Sequence, residues 1–363
     1  MKSKFFITSS SCKSVKGLTR SVIIDYLRND LYFISNEYYD LLQSLERKKI
    51  SDIFDLIEKD SQNSFNDFIT FLTTKELGFL IDTPDQYPII SDKRSDIFPV
   101  RDAIIEIDEE TFEQLNFTSV IQQLQGLFCN EIQIRLLSDF NADFVDSFLN
   151  IIGQYDINYV ELHLTFNNKV DDNLLFEFVK KHSVLCNVFI YNSPNYIVEE
   201  YLLKTEAYYP TQIGKAYYLK YSFDNGNCCG IITNENLSYE HVNQHNELKK
   251  FNGCLYKKVS IDKFGNIKNC PSINKIFGNI KNDSISRIID EDDFKKLGKI
   301  NKDEIKICKD CEFRYNCTDC RAFLSDSDDL YSKPLKCGYN PATCEWEDWS
   351  SNSLKDKQII KIS

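Results

Sequence analysis

Positive charge and long apolar runs are both scarce in this sequence. Its 363 residues carry 43 Lys and Arg against 55 Asp and Glu, which gives a net charge of −12 at pH 7. Because proteins that bind the phosphate backbone need a basic surface, nucleic acid is excluded as the main partner. No run of about 18 apolar residues is present, and the apolar stretch within residues 1–7 is too short for a signal peptide. We therefore expect a cytoplasmic protein with no membrane-spanning segment.

The motifs of several enzyme classes are missing as well. The chain contains no Walker loop, no GxSxG elbow, no HExxH and no GxGxxG. It does contain 42% hydrophobic residues, with 26 Phe and 20 Tyr, enough to fill sizeable cores. Since a domain usually has about 100 to 200 residues, the length predicts two or three packed units.

Cysteine, by contrast, is abundant. Ten of the 13 cysteines lie between Cys228 and Cys344, so they cluster in the C-terminal third. In a large chain without a secretion signal, such a cluster favours metal or redox chemistry over disulfides. The other three, Cys12, Cys129 and Cys186, are expected to be ordinary buried thiols.

Residues 1–82 alternate short strands with helices. The pattern predicts strands at 4–8, 21–26 and 30–34, helices at 38–45, 50–57 and 65–77, and a closing strand at 79–81. This order is typical of a small winged-helix unit. It resembles the precursor-recognition domains at the front of many peptide-modifying enzymes, which bind a leader peptide as an added strand. A docking domain without that specificity is the alternative.

Residues 83–99, with Pro84, Pro88 and Pro99, have the composition of a linker. Residues 100–250 then alternate strands with helices. Strands are predicted at 103–107, 131–136, 159–164, 187–191 and 216–221, with helices at 117–127 and 144–155. This alternation predicts an α/β fold whose parallel sheet is built from right-handed crossovers. About five such strands make an open or partial β/α barrel.

Seven cysteines have the spacing of a metal centre. Residues 259–261 and 267 alternate around a turn at Gly265, which predicts a hairpin between the first two cysteines. The seven candidate ligands are Cys254, Cys270, Cys308, Cys311, Cys317, Cys320 and Cys337. Thiolates at short spacing suit iron–sulfur clusters, and CxxC pairs also suit structural zinc, so the spacing leaves both metals open.

This arrangement resembles the SPASM domain, the cluster-binding extension of many radical S-adenosylmethionine enzymes. We place the domain at residues 251–348, followed by a tail at 349–363. Cys317 and Cys320 are separated by two residues, where the family more often has three. The resemblance implies one [4Fe–4S] cluster on Cys308, Cys311, Cys317 and Cys337, and a second on Cys254, Cys270 and Cys320.

The second set therefore lacks a fourth ligand. The candidates are Cys228, Cys229, Cys344 and His245, which forms an i, i+4 pair with His241. For the two histidines, a solvated helix face is the alternative interpretation. A completing cysteine would argue against catalysis at iron, whereas an open position would permit it.

The middle of the chain lacks the features that a radical enzyme needs. By the same resemblance, such an enzyme has a CxxxCxxC motif after its first barrel strand, but residues 108–112 read DEETF. Residues 137–139 stand where those enzymes carry a glycine-rich turn. We expect a degenerate radical S-adenosylmethionine-type barrel that keeps the fold without the cofactor site.

The chain is accordingly similar to the SPASM-domain peptide maturases of grasp-with-spasm systems. This resemblance implies a precursor peptide and an ATP-grasp ligase as partners. Two functions from different classes follow. The protein is either a maturation factor whose clusters are structural or relay electrons, or a redox or Lewis-acid enzyme acting at an open iron. A zinc-binding adaptor is the further alternative.

Overall fold

The computed structural model describes residues 3–88, 98–167, 169–203, 211–222, 229–239 and 241–347. The predicted tail at 349–363, most of the linker and Cys228 lie outside the described residues. Within this part of the chain, no helix is both long and apolar enough to cross a membrane.

The N-terminal unit combines five strands with three helices. Its elements are β1 (Phe5–Thr8), β2 (Cys12–Lys16), β3 (Ser21–Asp25), β4 (Asp30–Ile34), α1 (Asn36–Leu45), α2 (Ile50–Phe54), α3 (Gln62–Thr74) and β5 (Gly78–Ile81). Strands β2, β3 and β4 form an antiparallel sheet, and β1 pairs with β5. All the predicted strands and helices are present, and β2 was not predicted. The winged-helix assignment itself stays a prediction.

Local sequence explains these helices. Ser35 caps α1 by accepting a hydrogen bond from the Tyr38 backbone. Phe65, Phe68, Ile69 and Leu72 recur at helical spacing on α3, and this face is buried against the strands. The unit therefore has a hydrophobic core of its own.

The middle of the chain alternates strands with helices, as the sequence predicts. Its elements are β6 (Asp102–Ile107), α4 (Phe112–Leu115), α5 (Phe117–Gly126), β7 (Glu131–Leu136), α6 (Ala142–Ile152), β8 (Tyr159–Thr165), α7 (Asp172–Lys181), β9 (Leu185–Tyr191), β10 (Ile197–Leu203), β11 (Thr211–Tyr218) and α8 (Val242–Leu248). Strands β6, β7, β8, β9 and β11 are parallel neighbours. The predicted parallel sheet is confirmed, while β10, antiparallel to β11, was not predicted.

The C-terminal part has short elements joined by long turns. These are β12 (Lys258–Ile261), β13 (Asn266–Lys268), β14 (Gly278–Asn279), α9 (Ile285–Asp290), α10 (Asp292–Lys295), β15 (Tyr339–Asn340) and β16 (Glu345–Trp346). Short 3₁₀ helices occur at Lys59–Ser61, Pro84–Gln86, Asn234–Asn236, Leu297–Lys299 and Cys308–Asp310. The predicted hairpin is β12–β13, and Gly265 in its turn has φ of +84°.

One sheet joins the middle of the chain to the cysteine-rich part. Its nine strands run in the order β10-β11-β9-β8-β7-β6-β12-β13-β14, because β12 pairs in parallel with β6. Alternate residues, such as Ile132 and Ile134, pack against the helices in the main core. The opposite face carries polar residues, among them Gln133 and Arg135. Strands β10 and β14 lie at the two ends of this order. That the sheet forms a partial barrel stays a prediction.

The pairing of β1 with β5 provides a test of packing in the N-terminal unit. A methyl group at Gly78 would overlap the buried ring of Phe6 and lie 2.8 Å from the Ile7 carbonyl oxygen. We expect Gly78→Ala to lower the free energy of unfolding by roughly 1–3 kcal/mol. Gly126→Ala is the control, because no heavy atom lies within 4 Å of its added methyl group. Equal melting temperatures for the two variants would contradict this packing.

Candidate metal centre

Four cysteines of the C-terminal part line one small cavity. These are Cys308, Cys311, Cys317 and Cys337, which we call the first set. The cavity has an empty volume of ≈ 330 Å³. The 3₁₀ helix Cys308–Asp310 positions two of the thiols, because residues three apart in such a helix point in the same direction. The first group of ligands implied by the SPASM resemblance is therefore assembled around one space.

A second set of four thiols lies nearby. It contains Cys254 and Cys270 of the hairpin region together with Cys320 and Cys229. The Cys229 thiol is close enough to each of the other three to raise its pKa. Cys254 likewise raises the pKa of Cys270 and of Cys320. The structure thus places Cys229 where a fourth ligand is needed.

Backbone geometry explains how Cys229 reaches this set. Gly230 has φ of +78°, and a Cβ on it would lie 3.0 Å from Cys320 Sγ. The chain can turn this tightly against Cys320 only because residue 230 is glycine. The Lys336 ammonium donates a hydrogen bond to the Cys229 carbonyl oxygen at 2.9 Å, and Ile232 pairs with Cys337. One segment therefore runs alongside both sets.

Burial keeps the thiols of Cys308, Cys317 and Cys320 protonated in the absence of a metal. It raises the pKa of Cys308 to about 11 and the pKa of both Cys317 and Cys320 to about 12. Since a metal binds the thiolate, metal loading must release these protons. None of the 12 cysteines in the described part of the chain forms a disulfide. The thiols are therefore available to a metal.

A lysine acts on the thiols of each set, and it is buried at the first set and half-buried at the second. The Lys302 ammonium donates to the Thr318 carbonyl oxygen at 2.9 Å and lies 3.8 Å from Asp319 Oδ1. Burial lowers the pKa of Lys302, but Cys317, Asp319 and other thiols outweigh it, so this pKa is raised. At the second set, Lys258 forms an ion pair with Asp102 at 2.8 Å and acts on Cys254. Both positive charges would stabilise the anion that four thiolates and an iron–sulfur core form together.

Asp319 lies between the two sets. Its side chain is fully buried in the loop from Cys317 to Cys320. Its negative charge opposes ionisation of the nearby thiols and so acts to raise the pKa of Cys317 and of Cys254. Arg321 and Asn252 donate hydrogen bonds to its two carboxylate oxygens at 2.5 and 2.7 Å. These partners, together with the nearby Lys302 ammonium, compensate the buried charge of Asp319. Sequence reasoning missed Lys302, Lys258 and Asp319, since no spacing rule marks them.

The separation of the thiols bears on the choice of metal. Within the described residues, no three His, Cys, Asp or Glu side chains are close enough to bind one metal ion together. A single zinc ion would need its sulfur ligands about 2.3 Å from the metal. Four cysteines around a wider space suit a polynuclear cluster, in which each thiolate binds a different iron. The residues of the first set therefore fit an iron–sulfur cluster.

The other candidate ligands lie elsewhere. Cys344 is in the turn between β15 and β16, with Sγ 3.9 Å from the Pro341 carbonyl oxygen. His241 precedes α8, whereas His245 is buried, with Nδ1 2.9 Å from the Tyr26 hydroxyl. The solvated-helix interpretation of His245 is therefore wrong, because Tyr26 and Tyr315 cover its ring.

The three isolated cysteines also lie away from the two sets. Cys12 and Cys129 are buried in the cores of the N-terminal unit and the main sheet, and Cys186 is half-buried on β9. Burial raises the pKa of Cys12 to about 11 and that of Cys129 to about 12. These values are those of unreactive thiols, as the sequence predicts.

A polar row crosses the sheet face that points away from the helices. Strand register places Glu106, Arg135 and His163 side by side on β6, β7 and β8. His163 Nδ1 lies 2.9 Å from the Tyr191 hydroxyl, and its Nε2 lies 3.5 Å from Glu161 Oε2. Burial lowers the pKa of His163. This row lies beside the second set, because the positive charge of Arg135 favours the ionised form of the Cys270 thiol.

Comparisons with known proteins agree with the chemistry of the cysteines. The family model of the SPASM domain, an iron–sulfur cluster-binding domain, matches residues 254–312. This segment is less than half of the chain and includes Cys254, Cys270, Cys308 and Cys311. No curated protein matches the chain significantly.

Two solved structures are similar over most of their length. One is Streptococcus suis SuiB bound to S-adenosylmethionine, at 9% identity and a TM-score of 0.37, covering 94% of this chain and 100% of that chain. The other is Streptococcus suis SuiB bound to the precursor peptide SuiA, at 9% identity and a TM-score of 0.37, covering 91% of this chain and 99% of that chain.

The position of Cys229 predicts which cysteine completes the second set. After anaerobic reconstitution, we expect about eight iron and about eight sulfide per chain in the native sequence. Cys229→Ala should lose up to about half of this iron, because only three thiolates remain in its set. Cys228→Ala is the matched control and should keep all of it. If Cys228→Ala loses iron and Cys229→Ala keeps it, Cys228 is the fourth ligand instead. If the native protein binds stoichiometric zinc and no iron, the cluster assignment is wrong.

The position of Lys302 predicts an effect on reduction potential. Lys302→Gln removes a buried positive charge beside the first set, so its reduced cluster, which carries one more negative charge, should be less stable. We expect the midpoint potential of one cluster to fall by about 60 mV, a tenfold change for one electron. Lys302→Arg keeps the charge and serves as the control. Equal potentials for the glutamine and arginine variants, measured by EPR-monitored titration, would contradict this role.

Proposed function

We propose that this protein is a maturation factor for a ribosomally made peptide. In this role it binds the leader region of the precursor through its N-terminal unit, and it holds two auxiliary [4Fe–4S] clusters. An ATP-grasp ligase is the proposed enzyme partner. The observation that carries the proposal is the grouping of Cys308, Cys311, Cys317 and Cys337 around one cavity, next to a segment that matches a cluster-binding family.

The completeness of the second set decides between the two functional classes. A Lewis-acid or substrate-binding role for iron needs a coordination position that no protein ligand fills. With Cys229 beside Cys254, Cys270 and Cys320, each iron of the second cluster has its own thiolate. A cluster with four protein ligands supplies electron transfer or structural support. We therefore favour the maturation factor over a redox or Lewis-acid enzyme.

Radical cleavage of S-adenosylmethionine is not part of the proposed function. The chain has no CxxxCxxC motif, and residues 108–112 after β6 contain no cysteine. Asp108, the first of them, forms an ion pair with Lys263 in the turn of the cysteine hairpin at 3.0 Å. This contact gives the loop after β6 a structural role in joining the sheet to the cysteine-rich part.

Strand β4 is the proposed leader-binding edge. Within the described residues, it pairs on one side only, with β3. An extended peptide could therefore add to its free side through backbone hydrogen bonds. On one face Tyr32 packs against Phe71 of α3, with ring centroids 5.7 Å apart. On the other face Phe33 is 45% exposed and offers an apolar contact to a bound strand.

Replacing Phe33 should therefore weaken leader binding. The probes are isotope-labelled synthetic peptides that cover the N-terminal halves of the short open reading frames beside the gene. We expect Phe33→Ala to raise the dissociation constant about tenfold, which corresponds to about 1.4 kcal/mol of lost binding energy.

Phe79→Ala is the matched control for this measurement. Phe79 lies on β5 of the same unit and is 47% exposed, so its replacement removes a similar aromatic surface away from β4. Its affinity should equal that of the native chain. Equal loss in both variants, or peptide-induced NMR shifts confined to residues outside 12–34, would remove the proposed edge.

A further inference from the structure

The N-terminal sheet rests on the loop that carries the first set. The turn between β2 and β3 contacts this loop through its backbone, since Leu18 N donates to the Asp310 carbonyl oxygen at 2.7 Å. In return, Arg314 donates to the Lys16 carbonyl oxygen at 2.6 Å. A Cβ on Gly17 would lie 3.1 Å from Glu312, so a side chain there would crowd this contact. The two parts meet closely over residues next to Cys308 and Cys311.

A buried carboxylate holds this contact together. Glu312 follows Cys311 directly and is fully buried. Arg20 from the N-terminal turn donates to Glu312 Oε1 at 2.7 Å, and the Tyr339 hydroxyl donates to the same oxygen at 2.5 Å. A buried carboxylate that loses its cationic partner is strongly destabilised. The ion pair therefore fixes the turn relative to the loop.

A second contact joins β3 to the residue before Cys317. Asn316 donates to the Tyr26 hydroxyl at 2.6 Å, and the same hydroxyl lies 2.9 Å from His245 Nδ1. This network is buried, so its geometry is specific. Thus residues adjacent to two ligands of the first set bind the end of the N-terminal sheet.

Strand β4 is part of the same contact. Phe33 packs edge-on against Phe313, with ring centroids 5.9 Å apart, and the Arg20 guanidinium lies 3.8 Å from the Phe33 ring. Leu31 packs against the hydrophobic cluster that contains Phe313 and Cys317. One face of β4 therefore rests on residues of the first set and their neighbours.

The loop itself has little regular structure to hold its shape. Between residues 300 and 338 the structure contains one short 3₁₀ helix, Cys308–Asp310, and no strand. Four thiolates bound to one cluster would tie residues 308, 311, 317 and 337 together. Removing that link leaves a long segment whose ordering costs conformational entropy. The shape of the docking loop would then depend on the metal.

We propose that the cluster of the first set is the anchor for the N-terminal sheet, so that metal loading fixes β4, the edge to which an extended precursor peptide binds. The part concerning the peptide rests on the proposed function. We assign this role to the first set alone, because its neighbours contact the N-terminal sheet, whereas Lys258 and Asp102 beside the second set belong to the large sheet. Cys320 is the one cysteine of the second set in this loop. The two sets are thus unequal: loss of the first releases the N-terminal sheet, and loss of the second leaves it in place.

Hydrogen–deuterium exchange on the full chain tests this inference without any peptide. Reconstituted native protein is compared with Cys337→Ala, which breaks the first set, and with Cys270→Ala, which breaks the second. We expect amide exchange in residues 12–34 to be about tenfold faster in Cys337→Ala and unchanged in Cys270→Ala. Equal exchange in the two variants would overturn the inference.

Glu312→Gln tests the link without removing a ligand. It should keep the native iron content but speed exchange in residues 12–34, because Arg20 loses its charged partner. Glu345→Gln, at an exposed position on β16, is the matched control and should change neither. Native exchange in Glu312→Gln would count against the link.

The same measurements separate this inference from the proposed function. Iron bound in the native protein but unchanged exchange in Cys337→Ala would overturn the anchor alone. No iron in the reconstituted protein would overturn both. Faster exchange in Cys337→Ala, with no peptide bound at β4, would support the anchor and remove the leader-binding role.

Discussion

The grouping of eight buried or half-buried thiols in one region constrains the rest of this structure. Burial raises the pKa of Cys308, Cys317 and Cys320, so these thiols are neutral until a metal displaces their protons. Eight thiolates without compensating charge would be unstable in such a place. Lys302 and Lys258 supply that charge, and each is held by a carboxylate and its neighbours. The cysteine-rich region therefore supplies both the thiol ligands and the positive charges that a bound metal cluster needs.

The two sets are placed at different junctions of the fold. The second lies where the hairpin β12–β13 joins the parallel sheet, through the pairing of β12 with β6. The first lies where the N-terminal sheet meets the loop around Cys308 and Cys317. The first junction is formed by a loop with little regular structure, and such segments are ordered mainly by cross-links. This placement explains why a protein with so little regular structure in its last third would depend on metal clusters.

A complete set of ligands also restricts the chemistry that is possible. An iron with its own thiolate has no position for substrate, so these clusters are suited to support and electron transfer. The large sheet offers polar side chains, such as Arg135 and His163, on the face beside the second set. The maturation role in the proposed function needs no substrate position on iron, which agrees with this restriction.

The sequence by itself determined most of the strands and helices and marked the cysteines as candidate ligands. Helical and alternating patterns placed α3 and the parallel strands, and the turn at Gly265 indicated the hairpin, because these features depend on residues close together in the chain. Only the tertiary structure decided the rest. It brought Cys229 close to Cys320, and it brought Lys302 and Asp319 to the thiols. It also gave His245 a buried partner in Tyr26, 219 residues away. Such contacts join residues that are distant in sequence, and their burial and charge exist only after the chain has folded.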